Sequence, residues 1–155
     1  MALNRVLESN FEHLFTITLE KPLSNNNNGQ SRHWSSSHQA KRQWMMALKD
    51  ASIETEMGYE LDLEHFTQMV LMNEPLAEKV GIVVVRVLGK GQRFMDSDSV
   101  CRGDCKQLID SVVDCGILAD DSKKHVDWVI GTQDDTRRAD GPLTLVQFYS
   151  AVAKD

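Results

Sequence analysis

The chain has few cysteines, no long apolar run and no excess of basic residues, and each shortage narrows what it can be. Three cysteines, Cys101, Cys105 and Cys115, fall within fifteen residues. An odd number argues against a disulfide framework, as does the reducing compartment expected below. A zinc site would need more ligands at suitable spacing, and only His125 lies nearby. Buried thiols on a helix are the expectation. The longest strongly apolar stretch, Gly81-Ile82-Val83-Val84-Val85, is far too short to span a bilayer. The first twenty residues include Asn, Glu, Arg and His and lack the apolar core of a signal peptide. These features predict a cytoplasmic protein with no membrane partner. The formal net charge is −6. Alone, that counts against a nucleic-acid partner, since phosphate binding usually appears as a basic excess. The objection weakens if some carboxylates hold metal ions, which reverse the local field, or if the basic residues share a face.

What is present suits one folded domain over residues 1–155, with 41% apolar residues. Phe15, Ile17 and Leu19 alternate with Thr16 and Thr18 and predict a half-buried strand over 14–19. Pro22 ends it, and Ser24 to Gly29 has loop composition. Ser35, Ser36 and Ser37 can cap a helix running to about Ser52, with Trp44, Leu48 and Ala51 on one face. Residues 59–73 are ambiguous: Leu63, Phe66 and Val70 suit a helix, but the caps look poor. Residues 80–88 are rich in β-branched side chains and predict a central strand, broken by Gly89-Lys90-Gly91. A helix over 104–114 places Cys105, Leu108, Ile109 and Val112 on its apolar face, and Gly116 is a natural stop. Strands near 126–131 and 143–149 complete an α+β fold with a mixed β-sheet packed with helices. Residues 55–79 carry no functional signal.

The chemistry concentrates between Arg93 and Lys124. In extended backbone, Asp96 and Asp98 face one side. Asp120 and Asp121 follow at the far end of the helix, which could fold back and join the two ends. Two carboxylates about 4 Å apart repel by roughly 4 kcal/mol at an effective dielectric near 20. Such a cluster must protonate, spread or bind cations, and hard oxygen ligands suit Mg²⁺ or Mn²⁺. An acidic cluster beside basic residues therefore points to phosphodiester hydrolysis. The plainer alternatives are a solvated acidic turn at Asp96 and Asp98, a surface ion pair between Lys106 and Asp110 four residues on, and a solvated face for Lys41 and Arg42.

At this segment the sequence resembles the RusA family of Holliday-junction resolvases. The motifs are Asp96-Ser97-Asp98-Ser99, Lys106-Gln107-Leu108-Ile109-Asp110 and Gly116-Ile117-Leu118-Ala119-Asp120-Asp121. An early Thr-Ile-Thr-Leu strand, then Lys-Pro-Leu-Ser-Asn and a basic stretch leading into a helix, also fit. The likeness is loose over the chain and close over residues 93–125. It implies a homodimeric, Mg²⁺-dependent endonuclease (Mn²⁺ as an alternative) of bacterial, prophage or phage origin. Such an enzyme cuts four-way DNA junctions by paired symmetric nicks. Carried over, the metal-binding carboxylates are Asp96, Asp98 and Asp121, with Asp120 adjacent, and Lys106 is the catalytic or DNA-contacting lysine. The family's Asn after the second Asp is Ser99 here, and a hydroxyl cannot reproduce an amide's paired donor and acceptor. Asp98 and Lys106 are eight residues apart, where the best-known members place them about one turn apart. The extra turn puts Arg102 in competition with Lys106 for the phosphate.

Candidate DNA contacts are Arg32, Lys41, Arg42, Lys90, Arg93, Arg102, Lys123 and Lys124, with Arg86 also near the site. Trp34 is a candidate for stacking on an exposed base. Two other classes compete: a non-catalytic junction-binding or DNA-binding relative, and a metal-dependent phosphohydrolase without preference for branches. Metal-dependent nicking of a junction separates the first from the nuclease, and cleavage of unbranched DNA separates the second.

Overall fold

Alternation decides the architecture. All eight residues of the strand Val80–Val87 are buried, because its side chains feed two different cores. Ile82 and Val84 enter one apolar cluster, and Val83, Val85 and Val87 enter another. A strand buried on both faces needs cover on both sides, and helices supply it. The computed structural model describes residues 2–23, 34–96, 100 and 105–154. Among them are four helices and six strands: α1 (Ala2–Asn10), β1 (Phe11–Leu19), α2 (Trp34–Lys49), β2 (Ser52–Thr55), β3 (Glu60–Leu61), α3 (Leu63–Met69), β4 (Val80–Val87), α4 (Cys105–Asp114), β5 (Val126–Asp134) and β6 (Leu143–Ala153). The strands form one mixed sheet in the order β3-β2-β1-β6-β4-β5. The α+β class with a mixed sheet is as expected from the sequence.

The larger core lies on the face covered by α2, α3 and α4. There Trp44, Leu48, Phe66, Leu108 and Val112 meet Ile17, Ile82 and Phe148 of the sheet. Leu3 and Leu7 of α1 cover the other face, against Val83, Val85, Leu145 and Tyr149. Burial pushes the Tyr149 hydroxyl up to about 12. Cys105 is buried and Cys115 half-buried, both as thiols. Burial pushes the Cys115 thiol up to about 11, far from a reactive thiolate.

Among the described strands only β4 and β5 pair in parallel, and parallel neighbours need a long crossover. That crossover carries α4 and the whole candidate segment. The register shifts between Val80–Val126 and Gly81–Trp128. At Gly81 a Cβ would come 2.1 Å from the Trp128 ring, so the indole requires glycine beneath it.

The sequence patterns do not reveal the N-terminal helix α1 or the short strands β2 and β3; only Ser52 of β2 falls in the predicted α2, and β3 falls in the ambiguous segment. The caps of α3 are good: Asp62 Oδ1 accepts a hydrogen bond from the His65 N–H at 2.8 Å. The strand β4 is interior, as its β-branched run predicts, lying between β6 and β5. No described helix is long and apolar enough to cross a membrane.

Candidate metal and phosphate site

The approach to Asp96 is held from below by the ends of β4 and β5. After β4 the chain turns at Gly89 to Gln92, where the Gly89 N–H donates to Gln92 Oε1 at 2.7 Å. Arg138 Nη1 donates to the carbonyls of Gly89 and Gln92 at 2.8 and 2.7 Å. The chain then passes Gln133, which clamps it in both directions. Gln133 Oε1 accepts from the Met95 N–H at 2.8 Å, and its Nε2 donates to the Met95 carbonyl at 3.0 Å. The same Oε1 accepts from Arg86 Nη1 at 2.8 Å, and Arg86 also donates to the Arg93 carbonyl at 3.0 Å. Asp96 follows directly and is exposed.

Arg86 is therefore not a phosphate contact. It is 8% exposed and committed to holding this segment. Burial, reinforced by the charge of Arg138, lowers its pKa from the usual arginine value. The sequence did not single out Gln133. The signal was a long amide in a strand register opposite Arg86, which only the pairing reveals.

The second half of the site is built by α4 and the loop after it. Gly116, at φ 92°, ends the helix in the left-handed region. The chain then doubles back towards β5 through Asp120 and Asp121. These neighbours have different partners. Asp120 Oδ1 accepts from the Ser122 N–H at 2.8 Å, and Asp120 Oδ2 lies 3.6 Å from His125 Nε2. Hydrogen bonds from Ser122, side chain then backbone, hold the Asp120 carboxyl below its ordinary pKa, helped by the charges of His125 and Lys124. Asp121 instead faces the first turn of α4. Lys106 Nζ lies 3.7 Å from Asp121 Oδ2 and 3.6 Å from Asp110 Oδ1. Lys106 and Asp121 share a cavity of about 280 Å³ with Cys105, Ile109, Val126 and Val129.

The structure thus brings together Lys106, Asp110 and Asp121. Asp110 is the addition, having read from sequence as a surface partner of Lys106. Asp96 does not join them: among the described residues no group of three or more His, Cys, Asp or Glu could hold a metal ion. Val129 and Gln133 lie on one face of β5, four residues apart, so the Asp96 segment is anchored about 13 Å along the strand from the cavity. Asp98, Ser99, Arg102, Arg32 and the side chain of Trp34 lie outside the described residues.

The basic candidates divide in the same way. Lys41 pairs with Asp114, whose hydrogen bond raises the lysine's pKa. Lys123 Nζ donates to the Asp127 carbonyl at 2.7 Å. Arg42, Lys90, Arg93 and Lys124 are exposed.

The acidic excess has a location. Eight of the 23 carboxylates fall between positions 50 and 78, where there is no lysine or arginine. All eight are exposed. That leaves 15 carboxylates against 17 Lys and Arg in the remainder, a net of +2. The acidic segment builds β2, β3 and α3, at the sheet edge opposite β5. Glu54 and Glu60 even sit directly across from one another, a like-charge pairing that disfavours the local sheet. The remainder of the chain therefore carries a slight basic excess, although residues 93–127 themselves hold eight carboxylates against five Lys and Arg.

As to the donor set, Mg²⁺ commonly takes one or two protein carboxylates and keeps several waters. Asp110 and Asp121, converging on one positive charge at the rim of a cavity, fit that requirement. No family model matches the chain, and no curated protein matches it.

Proposed function

We propose that the chain is a divalent-metal-dependent endonuclease that cuts four-way DNA junctions as a homodimer, one active site per copy. The observation that carries the reading is the convergence of Asp110, Asp121 and Lys106 beside the open cavity at the edge of the sheet. The choice of branched DNA as substrate comes from the motif resemblance over residues 93–125. The acidic segment 50–78 lies at the far edge of the sheet, and a bound divalent cation would offset the carboxylates at the site itself.

In this reading Asp121 and Asp110 would hold Mg²⁺ or Mn²⁺ beside Lys106, and it is the resemblance alone, not the geometry, that names Asp96 and Asp98 as further ligands. A bound divalent ion supplies an activated water and stabilises charge on the phosphodiester oxygens. Lys106, 72% exposed on a flexible stem, binds the scissile phosphate and orients it. Ser122 and His125 hold Asp120 away from the reacting groups, so Asp121 rather than Asp120 is the working carboxylate of the pair. The Gln133 clamp fixes the direction in which the Asp96 segment leaves the sheet. Exposed Lys90, Arg93 and Lys124 would add phosphate contacts.

The test is a comparison of nicking and binding in two variants. Asp121→Asn should abolish metal-dependent nicking of a junction while leaving junction binding largely intact. Asp96→Asn should do the same if the resemblance holds at that position. Full cleavage by Asp121→Asn would sink the assignment. Junction binding by the wild-type protein without cleavage in either metal would favour the non-catalytic relative. Equal cleavage of linear and branched DNA would favour a phosphohydrolase without branch preference.

A further inference from the structure

We infer that Lys106 is the resident counter-ion of Asp110 and Asp121, and that it yields this place when a divalent cation binds between the two carboxylates. The inference rests on the metal-dependent reading of the site given above and concerns how that site changes on loading.

The geometry of Lys106 is that of a loosely held ion. Its distances of 3.6 and 3.7 Å exceed the length of a direct charge-assisted hydrogen bond, about 2.7–2.9 Å. Neither contact is a tight pair that would resist exchange. With 72% of the side chain exposed, releasing the ammonium to water costs little. It is also the one cationic side chain among the described residues lining the cavity.

Helix electrostatics do not explain a lysine here. Lys106 is the second residue of α4, where the positive end of the helix macrodipole favours an acid. Its acidic partner on the same helix, Asp110, lies C-terminal to it, the weaker of the two orders. The first turn of α4 has no acidic residue. What favours a cation at this point is Asp121, brought in by the loop after Gly116. The site thus collects two negative charges from separate elements and neutralises them with one mobile positive charge.

A Mg²⁺ or Mn²⁺ ion drawn to Asp110 and Asp121 would compete with the Lys106 ammonium for the same two carboxylates. Replacement gives the carboxylates a second unit of positive charge and releases Lys106 towards the rim. There it can meet an anionic phosphate diester. Metal loading and phosphate capture are then one coupled event.

The test uses the full chain and Mn²⁺ alone, with free Mn²⁺ followed by electron paramagnetic resonance. Lys106→Met keeps the aliphatic stem and removes the competing charge, so it should bind Mn²⁺ about fivefold more tightly than wild type, the scale expected for losing two exposed ion pairs. Lys106→Arg should stay near wild type. In parallel, the acetylation rate of Lys106, read by peptide mass spectrometry, should rise when Mn²⁺ is added to wild type and not when it is added to Asp121→Asn. A melting curve in EDTA establishes that each variant is folded. If Lys106→Met binds Mn²⁺ no better than wild type, or if Mn²⁺ leaves Lys106 acetylation unchanged, the exchange is wrong although the metal site stands. If neither protein takes up Mn²⁺ at millimolar concentration, the metal-dependent reading falls and the exchange with it.

Discussion

Replacing Gln133 by leucine removes three hydrogen bonds at once while keeping a side chain of similar size. Two join Gln133 to the backbone of Met95, and the third accepts from the buried Arg86. Each neutral bond contributes about 1 kcal/mol, and a bond to a charged group about 1.5–3 kcal/mol. Arg86 keeps the Arg93 carbonyl, so its loss falls at the lower end. The sum is about 3–4 kcal/mol. For a domain of this size that lowers the melting temperature by roughly 6–16 °C. Thermal and urea melts read the effect directly. Gln133→Glu keeps both accepted bonds and loses the one donated to Met95, so it should fall between leucine and wild type. A second consequence is functional: with the clamp gone, the Asp96 segment no longer leaves the sheet in a fixed direction. Junction nicking should drop while junction binding changes less. If Gln133→Leu melts within about 2 °C of wild type, a shift too small for three lost bonds, the clamp does not hold the segment.

Three other outcomes follow from separate parts of the molecule. Gly81→Ala places a methyl group against the Trp128 ring and should destabilise the fold by about 1–3 kcal/mol, measurable by urea denaturation. At α3, Asp62 is held below its ordinary pKa of 3.8, first by the His65 N–H and then by the His65 ring, and His65 is raised above 6.5 by Asp62. The depressed aspartate stabilises above 3.8 and loses this as pH falls through its folded value. The raised histidine stabilises below 6.5 and loses this as pH rises through its folded value. The stability difference between wild type and Asp62→Asn, measured by thermal melts across pH, should therefore be greatest between these values and shrink at pH 8. Finally, replacing Glu54, Glu56 and Glu60 together by glutamine should tighten binding to linear duplex at low salt, with the gain fading as salt rises. Anisotropy titrations across salt would read it, and an effect independent of salt would contradict the electrostatic account.

The sequence revealed those elements whose signal is local. The Thr-alternating strand β1, the β-branched run of β4 and the apolar face of α4 all follow from side-chain period, and Gly116 marks the end of α4. It also located the acidic and basic residues of the 93–125 segment. What it hid depends on pairing. The strands β2 and β3 have four and two residues, too few for any period to register. Helix α1 takes its meaning from the sheet face that Leu3 and Leu7 cover, and that face exists only once β4 and β6 are paired. The parallel pairing of β4 with β5, which sets Arg86 beside Gln133, joins residues 47 apart. For the same reason Arg86 looked like a surface cation and Gln133 did not look like anything. The distinction between Asp120 and Asp121 was equally out of reach, because it depends on Ser122 and His125 taking one carboxylate and α4 presenting Lys106 to the other.

The most direct measurement is cleavage of a synthetic four-way junction beside a linear duplex of the same sequence, with Mg²⁺ or Mn²⁺ and with EDTA. The account predicts paired symmetric nicks on the junction alone, lost in EDTA and lost in Asp121→Asn. Absence of both binding and cleavage on the junction would contradict it, as would cleavage that persists in EDTA.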